Sequence, residues 1–343
     1  MEDVMEDGDA TMTPGEANQH LRHCMVVYAA YPYFETRVQR EAEAWIARGH
    51  EVELECPRLN DDSLIDEHGG VNIHRVKLRW ERKQGQVAQI LQYLNFVLQT
   101  ALKLNSLYLK RHYDVIQCHN LPDFLVFSTL LPKLMGAQVI LDLHDLMPEF
   151  YQGKFKKSAG ELLLKLVYLQ ERWSCRFADH VITVTKHWRE TLIKRGVPAE
   201  KCSVVMNLAD PRIFRPLTRD AAVVNGRLNL FYHGDMPERY GLDLVIRAVA
   251  QLREKVPNLR LILIGGGQVL GRLKEMTHEL GLDEDTITFI DGVPAENLGP
   301  YFEQADVGVV PYRNDIFTDS LLPTKLLEYA LIGLPTIAAR TTA

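Results

Sequence analysis

Residues 318–330 (TDSLLPTKLLEYA), with LIGLPTIAA after them, restrict the possible folds of this chain more than any other segment. Their pattern predicts a loop, a helix, a glycine stop and a short buried strand at residues 336–339. Pro323 suits the first helical turn, where a missing N–H costs nothing. Gly333 can adopt the left-handed conformation that ends the helix, and Pro335 prevents its continuation. Three residues at helical spacing predict the apolar face: Leu326, Leu327 and Ala330.

Polar residues of the same helix favour an anionic ligand. Lys325 and Glu328 are three residues apart, so they project from the same side of a helix. The free amides expected at residues 320–322 lie near the helix N-terminus, which attracts anions. The helix would then hold a phosphate with amides and a lysine, and a sugar or ribose hydroxyl with a carboxylate. A solvated Lys–Glu pair on a surface helix is the alternative.

The chain as a whole alternates strand-like and helix-like segments. An apolar run at residues 25–29 precedes a helix with Thr36 as its expected N-cap, and residues 51–56 predict the second strand. This βαβ order predicts a parallel sheet. No GxGxxG sequence follows the first strand, so the dinucleotide-binding fingerprint is absent. The alternation resumes with a strand at residues 228–232, and the predicted fold class is α/β with two Rossmann-like, doubly wound parallel sheets.

Length and local composition predict the domain boundaries. At 343 residues the chain is long enough for about two domains. Residues 1–21 hold six acidic side chains and no Lys or Arg, and they are expected to form a disordered tail. Residues 215–226 show little periodicity and are the expected linker. The predicted domains are therefore residues 22–214 and 227–343.

Charge and cysteine content exclude several classes of protein. Six of the 45 acidic residues lie in the tail, which leaves 39 to balance 39 Lys and Arg, so nothing indicates nucleic-acid binding. The N-terminus lacks the apolar core of a signal peptide, and no apolar run is long enough to span a bilayer. The five cysteines are widely spaced without a CxxC pair, which is typical of reduced thiols in a cytoplasmic protein.

A long helix leaves a second kind of contact open. Residues 86–112 predict this helix, and its apolar surface is broad. Packing on the sheet is the favoured interpretation. Contact with a membrane or a partner protein is the alternative.

Polar residues at predicted strand ends form the candidate site of the first domain. His119, His144 and Asp145 lie where doubly wound sheets bind ligands, at or just after the carboxyl ends of strands. A His beside an Asp can act as a general base or orient a sugar hydroxyl, and a structural histidine is the alternative. No metal is predicted, because neither DxD pair of the chain follows a strand end: Asp7 with Asp9, and Asp283 with Asp285.

Glycine-rich turns follow two strands of the second domain. Gly234 and Gly241 let the backbone approach a ligand closely, and the helix that follows favours an anion at its N-terminus. Arg239, between them, can clamp a phosphate with two hydrogen bonds. Three further glycines, residues 265–267, follow the strand at residues 261–264.

The motifs of the chain occur in a recognisable order. The second half has His233-Gly234…Tyr240-Gly241, Gly265-Gly266-Gly267, Phe289…Gly292-Val293, Ala305-Asp306-Val307 and PTKLLEYALIGLPTIAA. The first half has Arg37…Glu41…Gly49-His50-Glu51-Val52, the run 113–119 and LDLHD. This order resembles the GT-B retaining glycosyltransferases, and most closely their large family four, the glycosyl transferases group 1. The resemblance covers about residues 23–343 and is more specific in the second half.

The resemblance implies roles for residues of the second domain. Glu328 matches the glutamate that holds the ribose of the nucleotide sugar. Ser320 stands where the family has a first glutamate, with Asp319 beside it, and the amides of Ser320 to Leu322 would hold the diphosphate. The family's phosphate-binding arginine and lysine are replaced by other residues here, and Arg239 would supply the missing charge. The replacements are Asp235 and Tyr240.

The resemblance also implies an activity. A sugar would move from a nucleoside-diphosphate sugar to an acceptor hydroxyl with retention, without a metal or another cofactor, in a cleft between the two domains. His144 matches the histidine that contacts the transferred sugar. The acceptor would be a saccharide, a lipid-linked molecule or a small molecule. Lys154, Lys156 and Lys157 suggest a membrane-linked acceptor, and a solvated loop explains them equally well.

Three departures from the family leave alternatives open: the missing first glutamate, the changed basic residues and the early end of the chain. Family members continue beyond the position of Ala343, so the second domain is expected to be incomplete and the chain truncated. A non-catalytic GT-B relative that binds a partner is therefore a second hypothesis, and a GT-B epimerase is a third.

The predicted catalytic residues are His144, Arg239, Lys325 and Glu328. Those predicted to bind the donor are Gly234, Tyr240, Gly241, Gly265, Gly266, Val293, Asp319, Ser320, Leu321, Leu322 and Glu328. The predicted acceptor-side residues are Tyr33, Arg37, His119 and Asp145.

Overall fold

The computed structural model describes residues 20–33, 35–79, 85–154, 160–217 and 226–342. The predicted acidic tail up to residue 19, Lys156, Lys157 and residues 218–225 of the predicted linker lie outside them. The chain forms two compact units. One extends to Asp142 and includes Phe177–His180, and the other has Leu143–Arg176 and the residues from Val181 onward.

The first sheet has eight strands in the order β3-β4-β2-β1-β5-β6-β7-β8. They are β1 Arg22–Val27, β2 Glu51–Arg58, β3 Ile65–His68, β4 Val71–Arg79, β5 Val115–His119, β6 Gln138–Leu143, β7 His180–Thr183 and β8 Cys202–Val204. The central pairs β2–β1–β5–β6 are parallel, as predicted, whereas β3 pairs antiparallel with β4 at the edge. The sequence did not predict β3, because all four of its residues are exposed and show no apolar alternation.

Within the described residues, six α-helices accompany these strands. They are α1 Thr36–Ala47, α2 Gln86–Arg111, α3 Leu130–Leu134, α4 Met147–Lys154, α5 Glu161–Phe177 and α6 Lys186–Lys194. Thr36 is the first helical residue of α1, and Glu35 takes the N-cap position without a side-chain cap. Between β5 and β6 the chain forms a 3-10 segment, Asp123–Thr129, followed by the short α3.

Helix α2 presents a buried and an exposed face. Phe96, Leu104 and Tyr108 are buried, and the helix packs against β2 and β4, as the favoured interpretation predicted. Its other face exposes large apolar side chains over most of its length: Val87, Ile90, Leu91, Leu94, Leu98, Leu102 and Leu109. No helix in the described ranges is both long and apolar enough to cross a bilayer.

The second sheet is parallel, in the order β11-β10-β9-β12-β13. Its strands are β9 Leu228–His233, β10 Leu259–Ile264, β11 Ile287–Ile290, β12 Val307–Val310 and β13 Thr336–Ala338. Its helices are α7 Leu242–Leu252, α8 Leu270–Glu279, α9 Gly299–Phe302 and α10 Thr324–Ile332. Two apolar clusters flank the sheet. One is built around Tyr232, Ile246 and Leu261, and the other around Phe231 and Tyr329.

The predicted helix–strand unit is present, but its burial differs from the prediction. Helix α10 ends at Gly333 in the left-handed conformation, as predicted. Strand β13 was predicted to be buried and is largely exposed, because it lies at the edge of the sheet. The predicted apolar face was also wrong: the buried residues of α10 are Lys325, Tyr329 and Ile332, whereas Ala330 is exposed.

Tyr329 packs on a glycine of β12, and this contact selects the buried face of α10. A Cβ atom at Gly308 would lie 2.5 Å from the Tyr329 ring. The strand therefore has space for the ring only because position 308 carries no side chain.

We expect Gly308→Ala to destabilise the second sheet by roughly 1–3 kcal/mol, because the added methyl group forces Tyr329 out of its packed position. Gly271→Ala is the matched control. Gly271 is an exposed residue of α8, and nothing lies within 4 Å of an added Cβ. This control should raise stability by up to about 1 kcal/mol through helix propensity. Urea unfolding followed by far-UV circular dichroism measures both, and equal effects would contradict the packing argument.

Candidate functional site

A cavity of about 310 Å³ lies beyond the carboxyl ends of β9, β10 and β11, beside the start of α10. Its lining residues come from the glycine turns, from α10 and from the segment before β9. They are Phe214, His233, Gly234, Asp235, Ile264, Gly265, Gly292, Val293, Ala295, Leu298, Thr324, Lys325 and Glu328. Parallel α/β sheets bind ligands at this edge.

Close backbone contacts between the turns shape the floor of the cavity. The amide of Gly234 donates to the carbonyl of Ile264, and the amide of Gly265 donates to the carbonyl of Ile290. Gly265 has a φ of +131°, and a Cβ there would lie 2.1 Å from the carbonyl oxygen of Gly234. Only glycine fits this position, so the two turns lie against each other and leave open space above them.

Lys325 is the main buried cation of the cavity wall. Its side chain is almost inaccessible, and its Nζ donates to the hydroxyl of Tyr312 at 3.0 Å. Three tyrosine rings surround the amine, with centroids 5.0–5.5 Å from Nζ: those of Tyr232, Tyr240 and Tyr312. Burial lowers the pKa of Lys325 to about 8, although Glu328 and Asp235 oppose the shift. The predicted alternative of a solvated Lys–Glu pair is therefore wrong.

Glu328 lies one turn beyond Lys325 and also faces the cavity. Its Oε2 lies 3.1 Å from Nε2 of His233, but the two atoms are not aligned as a hydrogen bond. This carboxylate oxygen is therefore buried and keeps its capacity to accept from a ligand hydroxyl. Apolar side chains also contribute to the wall: Phe214, Leu298 and Val293.

The cavity gathers part of the predicted donor-binding set. Gly234, Gly265, Val293, Lys325 and Glu328 line it. Tyr240 lies behind Lys325 and stacks on the Tyr312 ring, with centroids 4.0 Å apart. Gly241 is the left-handed N-cap of α7, and Gly266 lies beside Gly265.

The loop before α10 lies outside the cavity wall. The amides of Ser320 and Leu321 donate to the carbonyls of Phe317 and Thr318 at 3.3 and 3.4 Å, so they are not the free amides that were expected. The carboxylate of Asp319 accepts from the amide and hydroxyl of Thr342. Leu322 is half-buried and is not part of the wall either. Thr324, the first residue of α10, lines the cavity in their place.

Arg239 occupies a different environment from the one its motif suggested. Its guanidinium lies over the rings of Phe317 and Phe150, 4.8 and 5.5 Å from their centroids. Its Nη1 is buried without a hydrogen-bond partner. Arg239 does not line the cavity, so the buried cation of the cavity wall is Lys325.

Two of the predicted acceptor-side residues, Arg37 and His119, belong to a buried polar network of the first unit. Both oxygens of Asp142 accept from Arg37 at 3.1 Å, and Arg37 also pairs with Glu41 at 3.0 Å. Nδ1 of His119 lies 3.4 Å from Asp142. Arg37 is thus held by two carboxylates inside the fold, whereas Tyr33 is exposed in a turn.

Metal-ligating residue types do occur at the end of β6. His119 and Asp142 meet there, with His144 two residues further along the chain. The bidentate bond from Arg37 already neutralises Asp142, which weakens it as a ligand. The absence of a metal from the chemistry stays a prediction. His144 and Asp145 are half-buried in the segment after β6.

Sequence reasoning missed several residues of the cavity. His233, Phe214 and Thr324 were not predicted as site residues, although His233 stands at a strand end, which was a usable signal. Tyr232 and Tyr312 carry no local signal, because an aromatic residue at a strand end is usually core. Only the packing of three separate elements around Lys325 identifies them.

Family models match both halves of the chain. The model described as "Glycosyl transferase 4-like domain" matches residues 34–207, and the one described as "Glycosyl transferases group 1" matches residues 227–343. This chain belongs to the group 1 glycosyltransferases of GT-B fold. The predicted family and fold class are confirmed.

Individual relatives place the chain within this family. It is 36% identical over 178 residues to a GDP-mannose-dependent alpha-(1-6)-phosphatidylinositol monomannoside mannosyltransferase of Mycolicibacterium smegmatis, covering 48% of this chain and 45% of the relative. The chain thus spans about half the length of that relative. An amylovoran biosynthesis glycosyltransferase of Erwinia amylovora is 26% identical over 89% of this chain and 79% of its own.

Solved structures share the fold. A sucrose-phosphate synthase from Thermosynechococcus elongatus superposes with a TM-score of 0.72 at 20% identity, covering 94% of this chain and 82% of its own. Anabaena HepE in complex with UDP-glucose has a TM-score of 0.66 at 16% identity, covering 94% and 81%.

We expect Lys325→Met to raise the stability of the unliganded protein at pH 7 by roughly 1–3 kcal/mol, because it removes a desolvated charge. The folded-state pKa of about 8 lies below the ordinary lysine value, so the unfolded chain binds this proton more tightly. The wild type should therefore gain stability as the pH rises from about 8 to about 10.5. The difference in unfolding free energy between Lys325→Met and the wild type should shrink over the same range.

Thermal unfolding at pH 7 and pH 10 measures this effect. Lys255→Met is the matched control, because Lys255 is exposed and its loss should change stability little. A Lys325→Met protein that is less stable than the wild type at pH 7 would contradict the cost of burial.

Proposed function

We propose that this glycosyltransferase moves a hexose from a nucleoside-diphosphate sugar to an acceptor hydroxyl, with retention and without a metal. The observation that carries the proposal is the shared face of α10, which presents Lys325 and Glu328 to one cavity at the glycine turns. A cation and a carboxylate about one turn apart match a diphosphate and a ribose, which are adjacent parts of one ligand.

The chemistry of the wall supports one arrangement of the nucleotide, which belongs to this proposal. The diphosphate lies against Lys325 and the N-terminus of α10, whose first-turn amides favour an anion. Glu328 accepts hydrogen bonds from the ribose hydroxyls. The base occupies the apolar part of the cavity near Phe214 and Leu298.

The catalytic contribution is electrostatic. Departure of the diphosphate develops negative charge, and Lys325 with the helix N-terminus stabilises it without reorganisation. In the proposed retaining mechanism the acceptor hydroxyl attacks from the side of the leaving group, and the diphosphate takes its proton. His144 positions the transferred sugar, and Arg239 adds positive potential from outside the cavity. No additional cofactor takes part.

The names of the relatives support a nucleotide-sugar donor and leave its identity open. One relative is named as GDP-mannose-dependent, and HepE was solved with UDP-glucose. The relatives include enzymes of polysaccharide and phosphatidylinositol mannoside synthesis, so a saccharide or lipid-linked acceptor is proposed.

A non-catalytic binding role is the second candidate. Ser320 stands where the family has a glutamate, and its hydroxyl donates to the carbonyl of Phe317. The site therefore lacks one of the two carboxylates of the family motif. Nucleotide binding without sugar transfer or donor hydrolysis would favour this candidate.

We further propose peripheral contact with an anionic membrane through α2. Its exposed stripe of leucines faces solvent, and the helix has no acidic residue among its 26. The exposed Lys110 of its last turn supplies positive charge, whereas Lys103 donates to the carbonyl of Arg75 and Arg111 pairs with Glu53. Apolar area combined with positive charge suits an anionic lipid surface. A cytoplasmic protein with this surface would reach lipid-linked acceptors.

We expect UDP or GDP to bind equally well with magnesium and with EDTA, as measured by isothermal titration calorimetry. Glu328→Gln should weaken binding about tenfold or more, because a hydrogen bond to a charged group is lost. Asp319→Asn is the control and should bind as the wild type does, since Asp319 lies outside the cavity. Strict dependence on magnesium would contradict the mechanism.

We expect the protein to co-sediment with phosphatidylglycerol vesicles and not with phosphatidylcholine vesicles. Replacing Leu94 and Leu98 together by Ser should abolish binding, because both side chains are exposed on the stripe. Replacing Leu244 and Leu252 of α7, which are also exposed, removes the same apolar area elsewhere. Equal losses in both variants would exclude α2 as the contact.

A further inference from the structure

The surroundings of Lys325 are unusual for a phosphate-binding lysine. Its amine is enclosed by the rings of Tyr232, Tyr240 and Tyr312, which come from β9, from the turn after it and from the segment after β12. Tyr240 occupies the position at which the family resemblance places a lysine. In this chain the buried cation of the cavity wall comes from α10, and the Tyr240 ring packs against its amine.

We propose that these three tyrosines form a cage that positions the Lys325 amine for the donor diphosphate and couples donor binding to the uptake of one proton. The proposal rests on the proposed nucleotide-sugar site and assigns its pH dependence to one named group. The cage desolvates the amine, whereas the diphosphate, once bound, stabilises its protonated form. Binding therefore draws a proton onto Lys325 whenever the free amine is partly neutral.

The geometry explains why the amine stays aligned. The Tyr312 hydroxyl accepts from Nζ at 3.0 Å, and the Tyr240 ring stacks on the Tyr312 ring with only 10° between their planes. The hydroxyl of Tyr232 donates to the carbonyl of Asp235. The three rings surround the amine. Lys325 also lines the cavity together with Gly234, where an added Cβ would lie 3.7 Å from Nζ.

Other titratable side chains also surround the Lys325 amine. Burial raises the pKa of Tyr240 to about 12 and raises the pKa values of Tyr232 and Tyr312 further. The tyrosines therefore remain neutral where Lys325, with a pKa of about 8, titrates. Asp235 and Glu328 supply negative charge on both sides of the amine, and His233 faces Glu328. All of these groups are retained in a Lys325→Met variant.

The experiment measures the affinity for UDP and GDP by calorimetry from pH 6.5 to 9.5. Wild-type affinity should be constant at the acidic end and fall above pH 8 by up to about tenfold per pH unit. Between pH 8 and 9, titrations in two buffers of different ionisation enthalpy should show uptake of about one proton. Lys325→Met should bind the nucleotides about 10- to 100-fold more weakly at pH 7. Its affinity should not show the fall above pH 8, which we call the alkaline limb of the pH profile. The ligand's own ionisation is the same for both proteins, so it cancels in the comparison.

Tyr312→Phe tests the cage itself. Without the hydroxyl the ammonium loses an acceptor, so the alkaline limb should begin about one pH unit lower, while affinity at pH 6.5 changes little. Tyr301→Phe, at a half-buried tyrosine of α9 outside the cavity, should leave the profile unchanged. Far-UV circular dichroism confirms that each variant is folded.

The outcomes separate the two proposals. If neither nucleotide binds the wild type at any pH, the proposed function fails and the coupling fails with it. If nucleotide binds but wild type and Lys325→Met share one pH profile, the function stands and the coupling is overturned. If Tyr312→Phe titrates as the wild type does, the cage has no part in positioning the charge.

Discussion

The contact between Tyr329 and Gly308 determines how the second sheet presents its site. The ring fits only over a residue without a side chain, and this fit fixes the rotation of α10 about its axis. Lys325 lies one turn before Tyr329 on the same helix, so the rotation that buries the ring also buries the amine. Glu328 follows at the edge of the same face. The contact between Tyr329 and Gly308 thereby orients Lys325 and Glu328 toward the glycine turns.

Burial of Lys325 shows a conflict between stability and ligand recognition. A lysine without a full ion pair in an aromatic environment destabilises a fold, because the interior solvates an ammonium group poorly. The same desolvation strengthens the attraction between the amine and an incoming anion, since water no longer screens it. Residues that weaken the unliganded protein in this way concentrate at functional sites. The tyrosine rings reduce the cost through their negative faces and still leave the amine open toward the cavity.

Apolar patterns in the sequence predicted some elements of both units and missed others. Alternating apolar patterns predicted the central strands and most long helices, because period and burial are coupled within each element. They failed at β3 and β13, which lie at sheet edges and follow no burial pattern. The acceptor-side role of Arg37 came from the family resemblance and stays a prediction. The apolar patterns did not indicate that its guanidinium binds Asp142, which is 105 residues away, because no local pattern reports such a distant pair.

The sequence by itself determined the α/β class and the family. It also determined the helix that ends at Gly333, the strand that follows it, and the spacing of Lys325 and Glu328. These properties depend on residues within a few turns of one another, where geometry follows directly from order along the chain. Only the tertiary structure decided that Ser320 and Leu321 use their amides internally, that Arg239 lies outside the cavity and that three tyrosines enclose Lys325. Each of these depends on side chains from separate elements competing for the same space, and that competition is resolved by packing and not by sequence order.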